Sequence, residues 1–187
     1  MADKKVISLD KQQTVNLTKA TDVLTKVKAR MSWETPTNVF PKYDLDISAF
    51  LLGADGKLLS EEGFVFFNQE ATPDGSVWKS PDEQSGGFEE LYIDITKLSA
   101  AVKEISLVST LHKAGTRNQS FDKVKNSKLE IFDQNEQPIA VFNLDTLAPS
   151  SWAIQIGSFY QTNEGFTFQG VGQGFQLELG AFFEGYK

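Results

Sequence analysis

Leu45-Asp46-Ile47-Ser48-Ala49-Phe50-Leu51-Leu52 is the stretch that decides the fold. After Asp46 it is nearly all apolar, and it reads as a central β-strand buried on both faces. Further strand-like runs lie on either side of it, at 24–33, Phe64-Val65-Phe66-Phe67, 91–95 and 105–111. Leu129-Glu130-Ile131-Phe132 and Ile139-Ala140-Val141-Phe142 flank Asp133-Gln134-Asn135-Glu136, a hairpin-like turn, and 152–160 with 166–171 make a last pair. Turn signals punctuate these runs at Asp55-Gly56, Pro73-Asp74-Gly75, Gly86-Gly87 and Asn163-Glu164-Gly165. Many short strands with such spacing predict an all-β chain, an antiparallel β-sandwich with one or two short helices. The helices are expected at 96–102, with Thr96 as N-cap, and at 175–183, where Gly180 opposes helix formation. With no repeat, low-complexity tract or linker, 1–187 reads as a single domain. The longest stretch without a core pattern, 69–90, reads as a loop that is either functional or disordered.

Composition narrows the chemistry. The chain of 187 residues has no cysteine and one histidine, His112, which excludes disulfides, thiolate nucleophiles and paired-His metal sites. Oxygen ligands remain, and these suit hard cations such as calcium or magnesium. The net charge of −7 and the lack of a dense Lys/Arg cluster argue against nucleic acid as a partner. The opening run Val6-Ile7-Ser8-Leu9 is too short for a signal peptide, and no segment reaches the roughly 18 apolar residues of a membrane span. The expectation is a soluble, cytoplasmic protein that does not span a membrane. Glycine-rich Gly170-Val171-Gly172-Gln173-Gly174 lacks phosphate-loop spacing, and no nucleophile elbow or dinucleotide fingerprint occurs. His112, at the end of a buried-looking strand, reads as structural. The chain is therefore expected not to be an enzyme.

Tyr43-Asp44-Leu45-Asp46 opens the most hydrophobic strand. Residues two apart in a strand face the same side, about 7 Å from one another. Two carboxylates at the mouth of an apolar strand repel and are costly to desolvate unless a cation or backbone N–H groups relieve them. The long loop adds Asn68, Glu70, Asp74, Ser76, Asp82, Glu83, Glu89 and Glu90. Calcium takes 6–8 oxygens, which a strand mouth facing an acidic loop could supply. Against this, loop Asp and Asn are commonly turn formers and surface Glu is commonly solvated. Asp55-Gly56 lacks EF-hand spacing and reads as a turn, as do Asp133 and Asn135.

Several segments, in order along the whole chain, resemble the TerD family of tellurium-resistance and bacterial stress proteins. They are Ile7-Ser8-Leu9-Asp10-Lys11, the signature from Tyr43 through Lys57, Phe66-Phe67-Asn68, and Pro73-Asp74-Gly75-Ser76-Val77. Thr110-Leu111-His112, the segment from Asn118 to Val124, and Val171-Gly172-Gln173-Gly174-Phe175 follow. The resemblance implies a β-sandwich with calcium bound in loops at one end, and a stress role linked to tellurite. It implies no established catalytic activity, and partners among other stress-response proteins in a larger assembly. By position, Asp44 and Asp46 match the family's acidic residues at the strand mouth, and Asn68, Asp74 and Ser76 its next polar loop. The metal set expected on both grounds is Asp44, Asp46, Asn68, Asp74, Ser76, Asp82, Glu89 and Glu90. The sequence departs from the family at 80–90, where a longer acidic loop is usual and Phe88 stands in place of an acidic residue. The alternative expectation is a structural interaction domain with a degenerate metal site.

Overall fold

The computed structural model describes residues 5–81 and 87–187. Along the chain run β1 (Ile7–Leu9), β2 (Thr14–Asn16), α1 (Leu17–Ala20), β3 (Lys26–Glu34), β4 (Leu45–Leu52) and β5 (Phe64–Val65). Next come β6 (Val77–Lys79), β7 (Phe88–Asp94), β8 (Glu104–Leu111), α2 (Ala114–Arg117) and β9 (Lys125–Asp133). β10 (Pro138–Asn143), β11 (Ala153–Thr162), β12 (Gly165–Phe175) and α3 (Leu179–Tyr186) complete it. The first sheet has the order β1-β10-β9-β3-β7-β6 and the second β2-β12-β11-β8-β4-β5. Pairing is antiparallel except between β1 and β10, where Ile7 lies beside Ala140 in a parallel bridge. The β-sandwich expected from the patterning is the fold observed.

The full burial of β4 has a two-sided cause. Leu45, Ile47, Ala49 and Leu51 enter the main core between the sheets with Val27, Ala29, Leu91, Ile93 and Leu107. Phe50 and Leu52 point the other way, into a second cluster with Phe64, Val108, Ala153 and Phe182. α3 covers that outer face. Its Phe183 lies 5.2 Å from Phe64 and its Tyr186 4.7 Å from Phe50, ring to ring. The Tyr186 carbonyl accepts from Leu58 N–H at 2.6 Å. The helix forms despite Gly180 because this packing, and not its own propensity, holds it.

Three expectations need correction. No helix forms at 96–102. The Asp94 carboxylate accepts from the Thr96 N–H (3.1 Å) and hydroxyl (2.6 Å), so Thr96 closes a turn and caps no helix. The stretch 69–90 is not all loop, since it contains β6 and the first residues of β7. β6 is too short to show a period, and Lys79 and Glu89 put charges where a strand pattern would show apolar residues. The strand expected at Phe64-Val65-Phe66-Phe67 stops at Val65, because Phe66 and Gln69 exchange backbone hydrogen bonds at 3.0 Å in a tight turn. β5 therefore pairs only with Ala49 and Phe50 of β4.

Candidate functional site

That short β5 leaves the N–H of Ile47 for a side chain. In β7, Leu91 and Ile93 face the core, and alternation sends Glu89 the same way. Lys79 on β6 lies level with Leu91 and also points inward, its side chain wholly enclosed. Glu89, 1% exposed, accepts from Ile47 N–H at 2.6 Å through Oε2 and from Lys79 Nζ at 3.2 Å through Oε1. One carboxylate thus ties β6 and β7 of the first sheet to β4 of the second. Asp46, the residue before Ile47, is itself buried at 6% exposure.

Burial dominates the electrostatics here. It pushes the Glu89 carboxyl from its ordinary 4.5 to about 7. The Ile47 N–H and the Lys79 ammonium pull it down, and the negative charge of Asp46 adds to the rise.

Glu90 is different. It faces the opposite side of the sheet and sits directly across from Arg30. Arg30 Nε donates to it at 2.7 Å, Tyr92 donates its hydroxyl, and Lys28 Nζ lies 3.7 Å away. Burial works to raise this carboxyl, but those hydrogen bonds and cations outweigh it and hold it below the usual range. Arg30 also stacks over Phe88, 4.9 Å from the ring centre. The structure therefore separates Glu89 from Glu90, which the sequence placed in one set.

The remaining expected ligands also divide. Asp44 lies one residue before β4, and its carbonyl accepts from His112 N–H at 2.9 Å. Asn68 is exposed in the turn after β5, at the end where β4 begins. Asp74 and Ser76 belong to a turn at the far end of β7, where the Ser76 carbonyl accepts from Asp94 N–H at 2.7 Å. Asp94 is five residues from Glu89, about 16 Å along a strand. Asp74 accepts from the Thr72 hydroxyl (2.7 Å), Ser76 N–H (2.9 Å) and Ser76 hydroxyl (2.7 Å). Burial raises its carboxyl, but these donors outweigh it and leave the carboxyl lowered. Asp82 lies outside the described residues.

The donor chemistry fits a hard cation at the mouth better than elsewhere. Asp46 and Glu89 are two buried carboxylates on facing sheets, near enough for the charge of Asp46 to add to the rise at Glu89, with Asp44 two residues before Asp46 and Asn68 in the turn after β5. Among the described residues no three acidic or histidine side chains are grouped to hold a metal ion, so further oxygens would have to come from carbonyls or water. No motif singled out Lys79. Its only signal was the alternation Val77-Trp78-Lys79, with a cation at a core position, and that is legible only once β6 is known.

The TerD domain model matches residues 6–186. Tellurium resistance protein TerD of Serratia marcescens is 33% identical over 90% of this chain and 91% of its own. General stress protein 16U of Bacillus subtilis is 35% identical over 91% of each chain. A solved homologue of telluride resistance protein TerD from Streptomyces coelicolor superposes with a TM-score of 0.69, covering 86% of this chain and 95% of that one. At 22% identity that likeness speaks for the fold alone. The extent of the family match and the identity to these relatives place the chain in the TerD family of tellurium-resistance and stress proteins.

Proposed function

We propose that this protein binds calcium at the strand mouth and serves, without catalysing a reaction, as a cytoplasmic stress-response module linked to tellurite resistance. The observation that carries the reading is the pair of buried carboxylates on facing sheets, Asp46 and Glu89, with burial pushing Glu89 up to about 7 and the charge of Asp46 adding to that rise. Asp46 and Glu89 would hold the ion, with Asp44 and Asn68 as the next oxygens. A bound divalent cation supplies the positive charge that lets both carboxylates ionise together. The chain's own residues then do the rest. Glu89 keeps β4 tied to β7 through Ile47 N–H, and the loops at this end are ordered as a surface for other stress-response proteins.

The test is calorimetric titration of calcium into EDTA-treated protein, with magnesium as control. Calcium-specific heat that disappears in both Asp46→Asn and Glu89→Gln is expected. Unchanged affinity in either variant would place the ion elsewhere. The Lys79–Glu89 pair, already charge-matched, supports a second reading, a calcium-independent interaction domain. That reading predicts no heat at all.

A further inference from the structure

The 35–44 connection carries an apolar tip, Val39-Phe40-Pro41. The Phe40 ring is 94% exposed and Val39 40% exposed, far from the burial usual for such residues. The tip is braced from behind. Gln119 Nε2 donates to the Pro41 carbonyl at 2.7 Å, and an Arg117 guanidinium nitrogen lies 3.4 Å from the Lys42 carbonyl that accepts from it. These contacts run the tip alongside the segment 112–124, which bears Lys113, Arg117 and Lys123. With Lys42, the two segments hold four cations against two carboxylates, Asp44 and Asp122, and Glu178 adds a third where it accepts from Gly115 N–H at 3.4 Å, leaving a local excess of +1 on a chain whose net charge is −7. Asp122 is already engaged by Lys123 at 3.2 Å. Lys42, Lys113 and Lys123 are all exposed. Charges farther than about 8 Å are largely screened at physiological ionic strength, so the local excess outweighs the distant acidic surface.

We propose that this tip docks the protein on an anionic lipid surface. Phe40 enters the headgroup region and the lysines and Arg117 meet lipid phosphates. An aromatic body beside cations suits a membrane interface, and clustered Lys/Arg near a membrane are attracted to anionic lipid. The shape favours a membrane over a protein partner. A single ring standing out from a braced turn is a convex wedge, whereas protein hot spots sit within packed patches. The inference is independent of calcium, since the tip brings its own cations.

The test is co-sedimentation of the full chain with vesicles of phosphatidylglycerol and phosphatidylethanolamine, and with phosphatidylcholine alone, all in EDTA. Binding to the anionic vesicles only, weakened by salt, is expected. Phe40→Ser should lower the partition constant about tenfold, the scale of burying one phenyl ring, and Lys42→Glu should lower it with a shallower salt dependence. Both positions are exposed, so melting temperatures should match the parent and a folding defect is separable. No binding by the parent chain, or binding that Phe40→Ser retains, would overturn the proposal. So would retention on immobilised polyglutamate without vesicle binding, which would assign the tip to an acidic protein.

Discussion

The strand mouth and the Asp74 turn both entered the expected metal set, both acidic and both next to strand residues, yet they solve the problem of a carboxylate in opposite ways. At the turn, Asp74 takes three hydrogen bonds from Thr72 and Ser76, close neighbours in the chain, and its carboxyl is lowered. At the mouth, Glu89 reaches across the sandwich to Ile47 and along its own sheet to Lys79, is desolvated near Asp46, and is raised to about 7. A carboxylate satisfied by its own turn supports the local backbone. One that is buried, with a second negative charge nearby, is costly to ionise, and a cation would lower that cost. The difference marks the mouth, and not the turn, as the place where a cation would relieve a carboxylate.

The comparison breaks most forcefully at Lys79. Lys79→Met removes the cation from a fully enclosed pair, and stripping one partner from a buried ion pair costs about 3–5 kcal/mol. Urea unfolding near pH 8 should show that loss. A loss below about 1 kcal/mol would mean that the pair is solvated and the mouth is not buried as described. A pH series sharpens the same contrast. Glu89 titrates near its ordinary 4.5 when unfolded and at about 7 when folded. The folded state then binds more protons between those values, so this group's contribution to stability falls as pH rises from about 4.5 through about 7. At 1.36 kcal/mol per unit the fall is roughly 3 kcal/mol, and Glu89→Gln should flatten it. A parent chain with no such slope in EDTA would remove the raised carboxyl from the account. At the turn, Asp74→Ala should cost only about 1–2 kcal/mol in the same unfolding assay, from hydrogen bonds partly exposed to water, and should leave calcium affinity untouched. A change in that affinity would erase the distinction between the regions.

The legible parts of the fold were those whose residues obeyed a period. β4, β8 and the β9–β10 hairpin follow from apolar runs and a turn. The helix at α3 was legible as a weak pattern, and the aromatic cluster of Phe50, Phe64 and Phe183 that supports it was not. β6 and the start of β7 were hidden because the charges of Lys79 and Glu89 occupy inward positions. Those same charges belong to the candidate site, so the break in the pattern coincides with the residues proposed to act there. Asp46 was readable from its place at the strand mouth. The partition of Glu89 from Glu90 was not, because it depends on which strand lies behind each face. Asp74 and Ser76 carry the composition of a metal loop, but only the register with Asp94 shows how far they lie from Glu89.

The most direct test of the central claim is thermal unfolding near pH 7 in excess EDTA and again in millimolar calcium, with magnesium as control, for the parent chain and for Asp46→Asn. A ligand that binds only the folded state stabilises it by about 2.7 kcal/mol at 100 times its dissociation constant, which in a domain of this size is roughly 5–10 °C. The account predicts a rise of that order with calcium, little with magnesium, and none in Asp46→Asn. Identical melting curves with and without calcium in the parent chain would contradict it, and would leave Lys79 as the only cation that Glu89 needs.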